Sequence, residues 1–207
     1  FDGLDLRNSS WVAVSFHSEQ PPTFRHSDAT AANFSAMNMH SSSSSAVREV
    51  DATNFIATKA KFQGNDLENW YVQGADFSAC TMSSTRLIKW MADEKSYSAT
   101  GEDSGLEGAD GDNRRLNMSG SVFYNCVFEN CRLPGTDFSD ATIDLTKIRS
   151  ISTGPGEQEE SLFNGCTFDN AYFKEATIGY SNMSGATFIK SRMEDCIFQS
   201  NDFQGAS

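Results

Sequence analysis

Residues 161–205 read SLFNG CTFDN AYFKE ATIGY SNMSG ATFIK SRMED CIFQS NDFQG, which is nine consecutive five-residue units. In each unit the first residue is small or polar and the third is large and apolar. The third positions are Phe163, Phe168, Phe173, Ile178, Met183, Phe188, Met193, Phe198 and Phe203. This period of five restricts the possible folds strongly, because few backbone conformations can bury such a pattern.

A regular helix or a flat strand would not bury these apolar residues together. On an α-helix the third position would advance by about 140° per unit, so the apolar residues would spiral around the axis. On a straight strand an odd period sends successive apolar residues to opposite faces. A chain that turns a corner every five residues keeps first and third positions inside. The pattern therefore predicts a solenoid of square coils.

Units elsewhere in the chain follow the same loose pattern of a small residue, Asp or Asn, an apolar residue and two polar residues. Examples are ANFSA at 32–36, ADFSA at 75–79 and TDFSD at 136–140. On these units the sequence resembles the pentapeptide-repeat family, over roughly three quarters of its length. The resemblance implies an all-β fold, a right-handed quadrilateral parallel β-helix of about seven to eight coils.

The repeat register predicts one β-helix domain over residues 1–207, interrupted by insertions at about 41–45, 89–115 and 151–160. The chain begins and ends in repeat register, so we expect it to be a fragment of a larger protein. Around Phe55 the pattern is inverted, with the aromatic residue in first position and Ala57 in third. The sequence leaves open whether this stretch is a bulge or a regular repeat.

Burial predictions follow directly from the register. Phe128, Phe168 and Phe198 occupy third positions in unbroken runs, so we expect all three to be fully buried. The five cysteines all fall at first positions, where a small inward side chain is wanted; they are Cys80, Cys126, Cys131, Cys166 and Cys196. We therefore predict free, inward thiols, no disulfide framework, no metal site, no cofactor and a reducing compartment.

No group of residues in the sequence suggests catalysis. The three histidines, His17, His26 and His40, lie near predicted corners, and Ser and Asp are frequent at outward positions of any such repeat. Chance neighbours of a catalytic kind are therefore expected without a catalytic role. The sequence predicts that this chain is not an enzyme.

Charge separates the functional hypotheses that the resemblance leaves. Some members of the family are acidic rods that imitate DNA and bind DNA gyrase, and the net charge here is −12. Residues 93–112 contain seven acids and Lys95, a net charge of −6, and residues 151–160 contain three more acids, which leaves about −3 on the rod. Because a DNA mimic needs acids along its coil faces, this distribution disfavours mimicry. Gyrase binding by a DNA mimic stays as the alternative.

The layout also resembles the β-helix domains of bacterial type III effectors, the SopA- and NleL-like HECT-type ubiquitin ligases. That resemblance implies a non-catalytic substrate-recognition domain that binds a protein partner, a host protein in particular, beside further domains of the full-length chain. The parent protein would then be a ubiquitin ligase secreted into the host cytoplasm. We expect neither a nucleic-acid partner nor a membrane partner.

The predicted binding site lies where the repeat pattern departs most from regularity. The interruption after Leu87 brings aromatic and basic residues next to a stretch rich in Gly, Asp, Glu and Ser. Loops on a rigid scaffold commonly carry recognition, and aromatic and arginine side chains supply most binding energy. The predicted partner-binding residues are Trp90, Met91, Tyr97, Arg114 and Arg115.

Overall fold

The computed structural model describes residues 1–16, 22–39, 50–92, 115–149 and 161–207, which form short parallel strands joined by tight turns. The N-terminal strands are β1 (Ser15–Phe16), β2 (Asn33–Ser35), β3 (Asn38–Met39), β4 (Val50–Asp51), β5 (Lys61–Gln63), β6 (Asp66–Glu68), β7 (Trp70–Tyr71), β8 (Thr81–Ser83) and β9 (Arg86–Ile88). The C-terminal strands are β10 (Val122–Tyr124), β11 (Val127–Glu129), β12 (Thr142–Asp144), β13 (Lys147–Arg149), β14 (Ser161–Leu162), β15 (Tyr172–Lys174), β16 (Thr177–Gly179), β17 (Ser181–Asn182), β18 (Arg192–Glu194) and β19 (Ile197–Gln199).

The strands stack into the four walls of a square rod, which we number in chain order. Face 2 is the seven-stranded sheet β2-β5-β8-β10-β12-β15-β18, and face 3 is the eight-stranded sheet β1-β3-β6-β9-β11-β13-β16-β19. Face 4 contains the pairs β4-β7 and β14-β17, and face 1 is the column of parallel bridges that runs from Asp5 to Thr187. This arrangement confirms the predicted right-handed quadrilateral parallel β-helix.

Successive coils stack residues that lie four repeats apart in the chain, as in the pairing of Val127 with Lys147. At four interruptions the connection is longer, yet the coils on both sides stay in register. The pairs that span these interruptions are Ser15 with Asn38, Asn38 with Asp66, Arg86 with Val127, and Lys147 with Thr177. Eight coils at about 4.8 Å each give a rod of roughly 38 Å.

The interruptions differ in extent from those that the sequence predicts. Residues 89–92 and Arg115 lie in the described coils, so the predicted interruption at 89–115 is shorter than expected. The predicted insertions at 41–45 and 151–160 lie outside the described residues.

Left-handed backbone at the fifth position of each repeat makes the chain turn its corners. The φ angles at these positions range from 49° at Glu175 to 71° at Gly205, and most of the residues are not glycine. A left-handed conformation costs a non-glycine residue about 1–2 kcal/mol. On faces 1 and 4 the turn is closed by a bond from the next first-position N–H to the third-position carbonyl, as from Ser121 to Met118.

The interior holds columns of large third-position side chains packed between successive coils. Phe138, Phe168 and Phe188 stack with ring centroids 5.0 Å apart and interplanar angles of 9°. The predicted burial of Phe128 and Phe168 is confirmed. Each fully buried aromatic ring contributes about 1.5–3 kcal/mol of transfer free energy, which offsets the strain of the corners.

Phe55 belongs to a regular repeat and not to a bulge. It is buried at a first position, and the fifth-position residues on either side, Asn54 and Lys59, both have the left-handed φ of regular corners. Its ring packs 5.6 Å from Phe24 and 5.8 Å from Phe77. The large side chain therefore fills the interior from the first position, where Ala57 at the third position leaves space.

Polar side chains at first positions pack in the interior and also donate hydrogen bonds. The Ser121 hydroxyl donates to the Phe77 carbonyl at 2.7 Å, and the Thr85 hydroxyl donates to the Phe62 carbonyl at 3.0 Å. The Cys80 thiol donates to the Ala57 carbonyl at 2.9 Å in the same way. Each acceptor is a third-position residue of the coil below. Cysteine, serine and threonine are thus suited to these positions by their donors as well as by their size.

The five thiols are free, and four of them are buried, whereas Cys196 is half-buried. Burial raises the pKa of the Cys80, Cys131 and Cys166 thiols to about 12 and that of Cys126 to about 11. The inward placement predicted from the repeat register is therefore observed, and the half-buried thiol is the one in the last coil.

The prediction that Phe198 is fully buried is wrong. Its side chain is 38% exposed, although it points along the same interior column as the buried Phe128. Phe198 lies in β19, which is the terminal strand of the face 3 sheet. No described coil packs on its outer side, so the same repeat position buries less surface there than in the middle of the rod.

Phe168→Ala should lower the free energy of unfolding by about 3–5 kcal/mol, because it removes a fully buried ring and leaves a cavity between two stacked neighbours. Phe198→Ala is the matched control and should cost only about 1–2 kcal/mol, since that ring is already partly exposed. Denaturant melts of the two variants measure the difference. Equal losses would contradict the assigned coil order.

Thiol labelling at pH 8 in the native protein should modify Cys196 first. A pKa of about 12 leaves only about one thiolate in 10⁴ at that pH, and the thiolate is the reactive form. The four buried thiols should therefore react only as the rod opens, which mass spectrometry of the labelled peptides would show. Fast modification of Cys131 in the folded chain would contradict the inward orientation of the first positions.

Candidate functional site

The outward side chains of the rod are short and mostly polar. A binding site is therefore expected where the surface departs from this regular pattern. In the described part of the chain, no set of three or more His, Cys, Asp or Glu residues lies close enough to hold a metal ion. No helix there has the length and the apolar character that membrane spanning needs. Surface charge and exposed aromatic residues are the remaining features that distinguish one face from another.

The residues predicted to bind a partner do not form one surface. Trp90 is fully buried, stacks 5.5 Å from Trp70 and donates its indole N–H to the Leu67 carbonyl at 3.2 Å, so it belongs to the core. Met91 is half-buried on face 4, and Arg115 is exposed at the edge between faces 4 and 1. Tyr97 and Arg114 lie outside the described residues. The predicted anchor Trp90 is therefore not available to a partner.

The net charge of the rod is unevenly distributed over its four faces. The described ranges contain 16 acidic and 13 basic residues, a net charge of −3. The outward second and fourth positions of face 1 alone contain five acids and one base, a net charge of −4. The acids are Asp5, Asp28, Asp76, Asp137 and Asp169, and the base is Arg7. The other walls and edges of the described rod together are close to neutral.

The acids of face 1 are arranged along one line. The second positions are bridged coil by coil in the order Asp5, Asp28, Ile56, Asp76, Asn117, Asp137, Thr167 and Thr187. Asp28, Asp76 and Asp137 therefore recur every second coil, at intervals of about 10 Å. Arg7 lies at the first coil, where it bonds Asp5 and lies 3.8 Å from Asp28. Beyond that coil, the outward positions of this face carry carboxylates without a basic residue.

Each of these carboxylates is held by the backbone. Asp76 Oδ1 accepts the Ser78 N–H at 2.9 Å, and Asp137 Oδ1 accepts the Ser139 N–H at 2.8 Å. Asn117 makes the same bond to the Ser119 N–H at 3.0 Å with its amide oxygen. Asp169 Oδ1 accepts the Ile189 N–H of the next coil at 3.0 Å. Because one oxygen is held in this way, the charges of face 1 are pre-positioned before any partner arrives.

The edge between faces 1 and 2 contains both signs of charge. Lys59 lies near the N-terminal part of that edge, Lys190 lies near its C-terminal part, and Asp140 lies between them. The centre of face 1 is thus bordered by a further acid, and the cations are displaced toward its two ends. A basic surface would meet mostly negative charge along the middle of this face.

On faces 2 and 3, several acids form ion pairs with outward basic side chains. On face 3, Arg86 pairs with Asp66 at 2.8 Å, and Arg149 pairs with Glu129 at 2.8 Å. On face 2, Arg192 pairs with Glu194 within one strand. Such exposed pairs contribute little stability, but they remove net charge from these two walls. The acidity of face 1 is therefore a property of that wall.

The sequence analysis did not identify acidic face 1, because it considered only the net charge of the whole rod. The total of −3 is correct, but it averages one acidic wall with near-neutral ones. Recognising the wall requires the coil register across all four interruptions, which fixes which repeats share a face. The usable signal in the sequence was the recurrence of Asp in second position at 28, 76 and 137, each followed two residues later by Ser or Thr.

The family model described as "Pentapeptide repeats" matches residues 114–147 and 159–188, with eight copies of the repeat. A curated relative is the quinolone resistance pentapeptide repeat protein QnrB96 of Scandinavium goeteborgense. It is 25% identical over 146 residues, which are 70% of this chain and 61% of the relative. The match therefore spans about three fifths of that relative's length.

Two solved structures of pentapeptide repeat proteins align with this chain at low sequence identity. A trypsin-treated variant of QnrB1, a plasmid-mediated fluoroquinolone resistance protein, aligns with a TM-score of 0.48 and 14% identity, over 99% of this chain and 87% of that one. HetL, a pentapeptide repeat protein of Nostoc sp. strain PCC 7120 involved in the regulation of heterocyst differentiation, aligns with a TM-score of 0.33 and 12% identity, over 95% and 88%.

These findings correct the predicted function. The prediction of a substrate-recognition domain of a type III effector with HECT-type ligase activity is wrong, because the curated relative is a quinolone resistance protein. The predicted host-protein partner is wrong for the same reason. The resemblance to the repeat family that was predicted from the five-residue units is confirmed.

Trp90→Ala should destabilise the rod by about 3–5 kcal/mol, because it removes a fully buried ring that stacks on Trp70. Met91→Ala, one position along and half-buried, is the matched control and should cost about 1 kcal/mol. Thermal or urea melts of both variants make the comparison. A Trp90→Ala variant as stable as the unsubstituted chain would contradict the assignment of Trp90 to the core.

Proposed function

Because residues 114–147 and 159–188 are repeats of the pentapeptide-repeat family, we propose that this chain is a non-catalytic member that binds DNA gyrase through acidic face 1. Face 1 would occupy a surface on which the enzyme otherwise holds DNA. The observation that carries the proposal is the line of backbone-held carboxylates on one wall of an otherwise near-neutral rod.

Two further points support gyrase as the partner. The resemblance to acidic members of the family implies binding in place of DNA, and the curated relative is named for quinolone resistance. A protein that competes with DNA at the enzyme would alter the effect of a drug that acts there. The chain would then work where gyrase does, inside a bacterial cell, which agrees with the reducing compartment predicted for its thiols.

The charge density of face 1 limits how strong this interaction can be. Duplex DNA carries about one charge per 1.7 Å of axis, whereas face 1 carries one carboxylate per about 10 Å over most of its length. The chain should therefore bind gyrase more weakly than DNA does. Its salt dependence should correspond to about four ionic contacts and not to the six to ten of a typical DNA complex. Shape and hydrogen bonding would have to supply the remaining affinity.

Replacing Asp76, Asp137 and Asp169 by Asn should weaken inhibition of gyrase supercoiling at least about tenfold, since three of the carboxylates that face the enzyme lose their charge. Asn117 already caps its turn with an amide oxygen in the same column, so the substituted chain should keep its fold. The measurement is the concentration of chain needed for half-inhibition, with and without a quinolone.

The control variant changes the same number of charges elsewhere, with Glu68→Gln, Glu175→Gln and Asp195→Asn on face 3 and the edge between faces 2 and 3. It should inhibit as the unsubstituted chain does. Equal weakening of both variants would mean that total charge matters and that face 1 is not the site. A complete lack of inhibition by the unsubstituted chain would refute gyrase as the partner.

A further inference from the structure

The middle of face 2 presents an exposed aromatic residue on a wall of mostly polar side chains. Strand β10 turns Val122 and Tyr124 outward, with 39% and 47% of their surfaces exposed. The strand before it, β8, places Thr81 and Ser83 at the same positions. Tyr124 is therefore a solvent-exposed ring next to smaller polar side chains of the neighbouring strand.

An acidic residue occupies the position next to Tyr124 in the same column of face 2. Asp144 is the register partner of Tyr124 in the next coil, and Lys174 is the register partner of Asp144 in the coil after that. Lys174 lies 3.8 Å from the carboxylate of Glu175. Asp144 Oδ1 is buried and has no hydrogen-bond partner among the described residues, whereas the residue as a whole is only half-buried. A partner would therefore reach the exposed part of Asp144 and not this oxygen.

The same wall contains an internal cluster of a tyrosine, an arginine and a carboxylate. Two coils away, the Arg192 guanidinium lies over the Tyr172 ring, 5.5 Å from its centroid, and pairs with Glu194. The Tyr172 hydroxyl donates to Glu194 at 2.6 Å, which completes a tyrosine, arginine and carboxylate cluster. At Tyr124 and Asp144 the tyrosine and the carboxylate are present, and the described residues supply no arginine over the ring.

We propose that Tyr124, Asp144 and the flanking Val122 form a docking site for an arginine side chain of a protein partner. The guanidinium stacks flat on the Tyr124 ring and directs its N–H groups to the Asp144 carboxylate, while its methylene stem packs on Val122. Arginine suits this site better than lysine, because the planar fork both stacks and bonds the carboxylate and is the more weakly hydrated cation.

The proposal goes beyond binding through face 1 and does not depend on it. Face 2 meets face 1 at the edge that contains Asp140, so one basic partner could contact both walls. The two surfaces differ in what they select. Face 1 attracts any positive charge, whereas the Tyr124 site discriminates between two cations of equal charge.

The test compares two synthetic peptides of equal length and charge, one alternating arginine with glycine and one alternating lysine with glycine. Fluorescence anisotropy of the labelled peptides gives both dissociation constants for the whole chain. The unsubstituted chain should bind the arginine peptide about threefold to tenfold more tightly. Tyr124→Leu and Asp144→Asn should each reduce this ratio toward one, while Tyr124→Phe keeps it.

Two control variants separate the site from general effects. Tyr180→Leu removes a tyrosine of similar exposure, 52%, at the edge of face 3, and Asp195→Asn removes an acid from the edge between faces 2 and 3; both should leave the ratio unchanged. Equal affinity of the unsubstituted chain for the two peptides would overturn the proposal, as would an unchanged ratio in Tyr124→Leu. A neutral oligosaccharide that binds in a Tyr124-dependent way, without any arginine preference, would assign the ring to sugar and also overturn it.

Discussion

The whole structure depends on the chain returning to the same line after every four repeats. Each return stacks a residue on its equivalent in the coil below, so one backbone ladder and one side-chain column are extended together. The left-handed fifth residue of each repeat makes the return possible, at a cost that non-glycine residues such as Glu175 and Tyr180 bear. Continuous stacking of buried aromatic rings offsets that cost, which is why phenylalanine dominates the third positions.

The stacking of successive coils also determines the surface, because it aligns outward residues in columns along each wall. A single Asp in a repeat is an ordinary solvated acid, but Asp28, Asp76 and Asp137 become a line of charge once their coils are stacked. Likewise Tyr124 and Asp144 are a full coil apart along the chain and adjacent on face 2. A partner that binds one face of such a rod therefore contacts residues from several coils at once.

The fold was predictable from the sequence, because a period of five admits few alternatives and 161–205 shows it without interruption. The burial of Phe128 and Phe168 followed from the same register. Phe198 did not follow the rule, since burial depends on a neighbouring coil as well as on repeat position. Trp90 was misplaced because a large residue at a first position looked like the start of an insertion, whereas it stacks on Trp70 inside the rod. The acidic wall could not be found by summing charge, because it depends on which repeats share a face.

Carboxylate footprinting measures directly whether gyrase contacts face 1. Carbodiimide labelling of the chain alone and in its complex with gyrase, followed by mass spectrometry, reports on the acids of all four walls in one experiment. We expect Asp76, Asp137 and Asp169 to lose reactivity in the complex, while Glu175 and Asp195 keep theirs. Protection of Glu175 and Asp195, with the face 1 acids as reactive as in the free chain, would contradict this expectation.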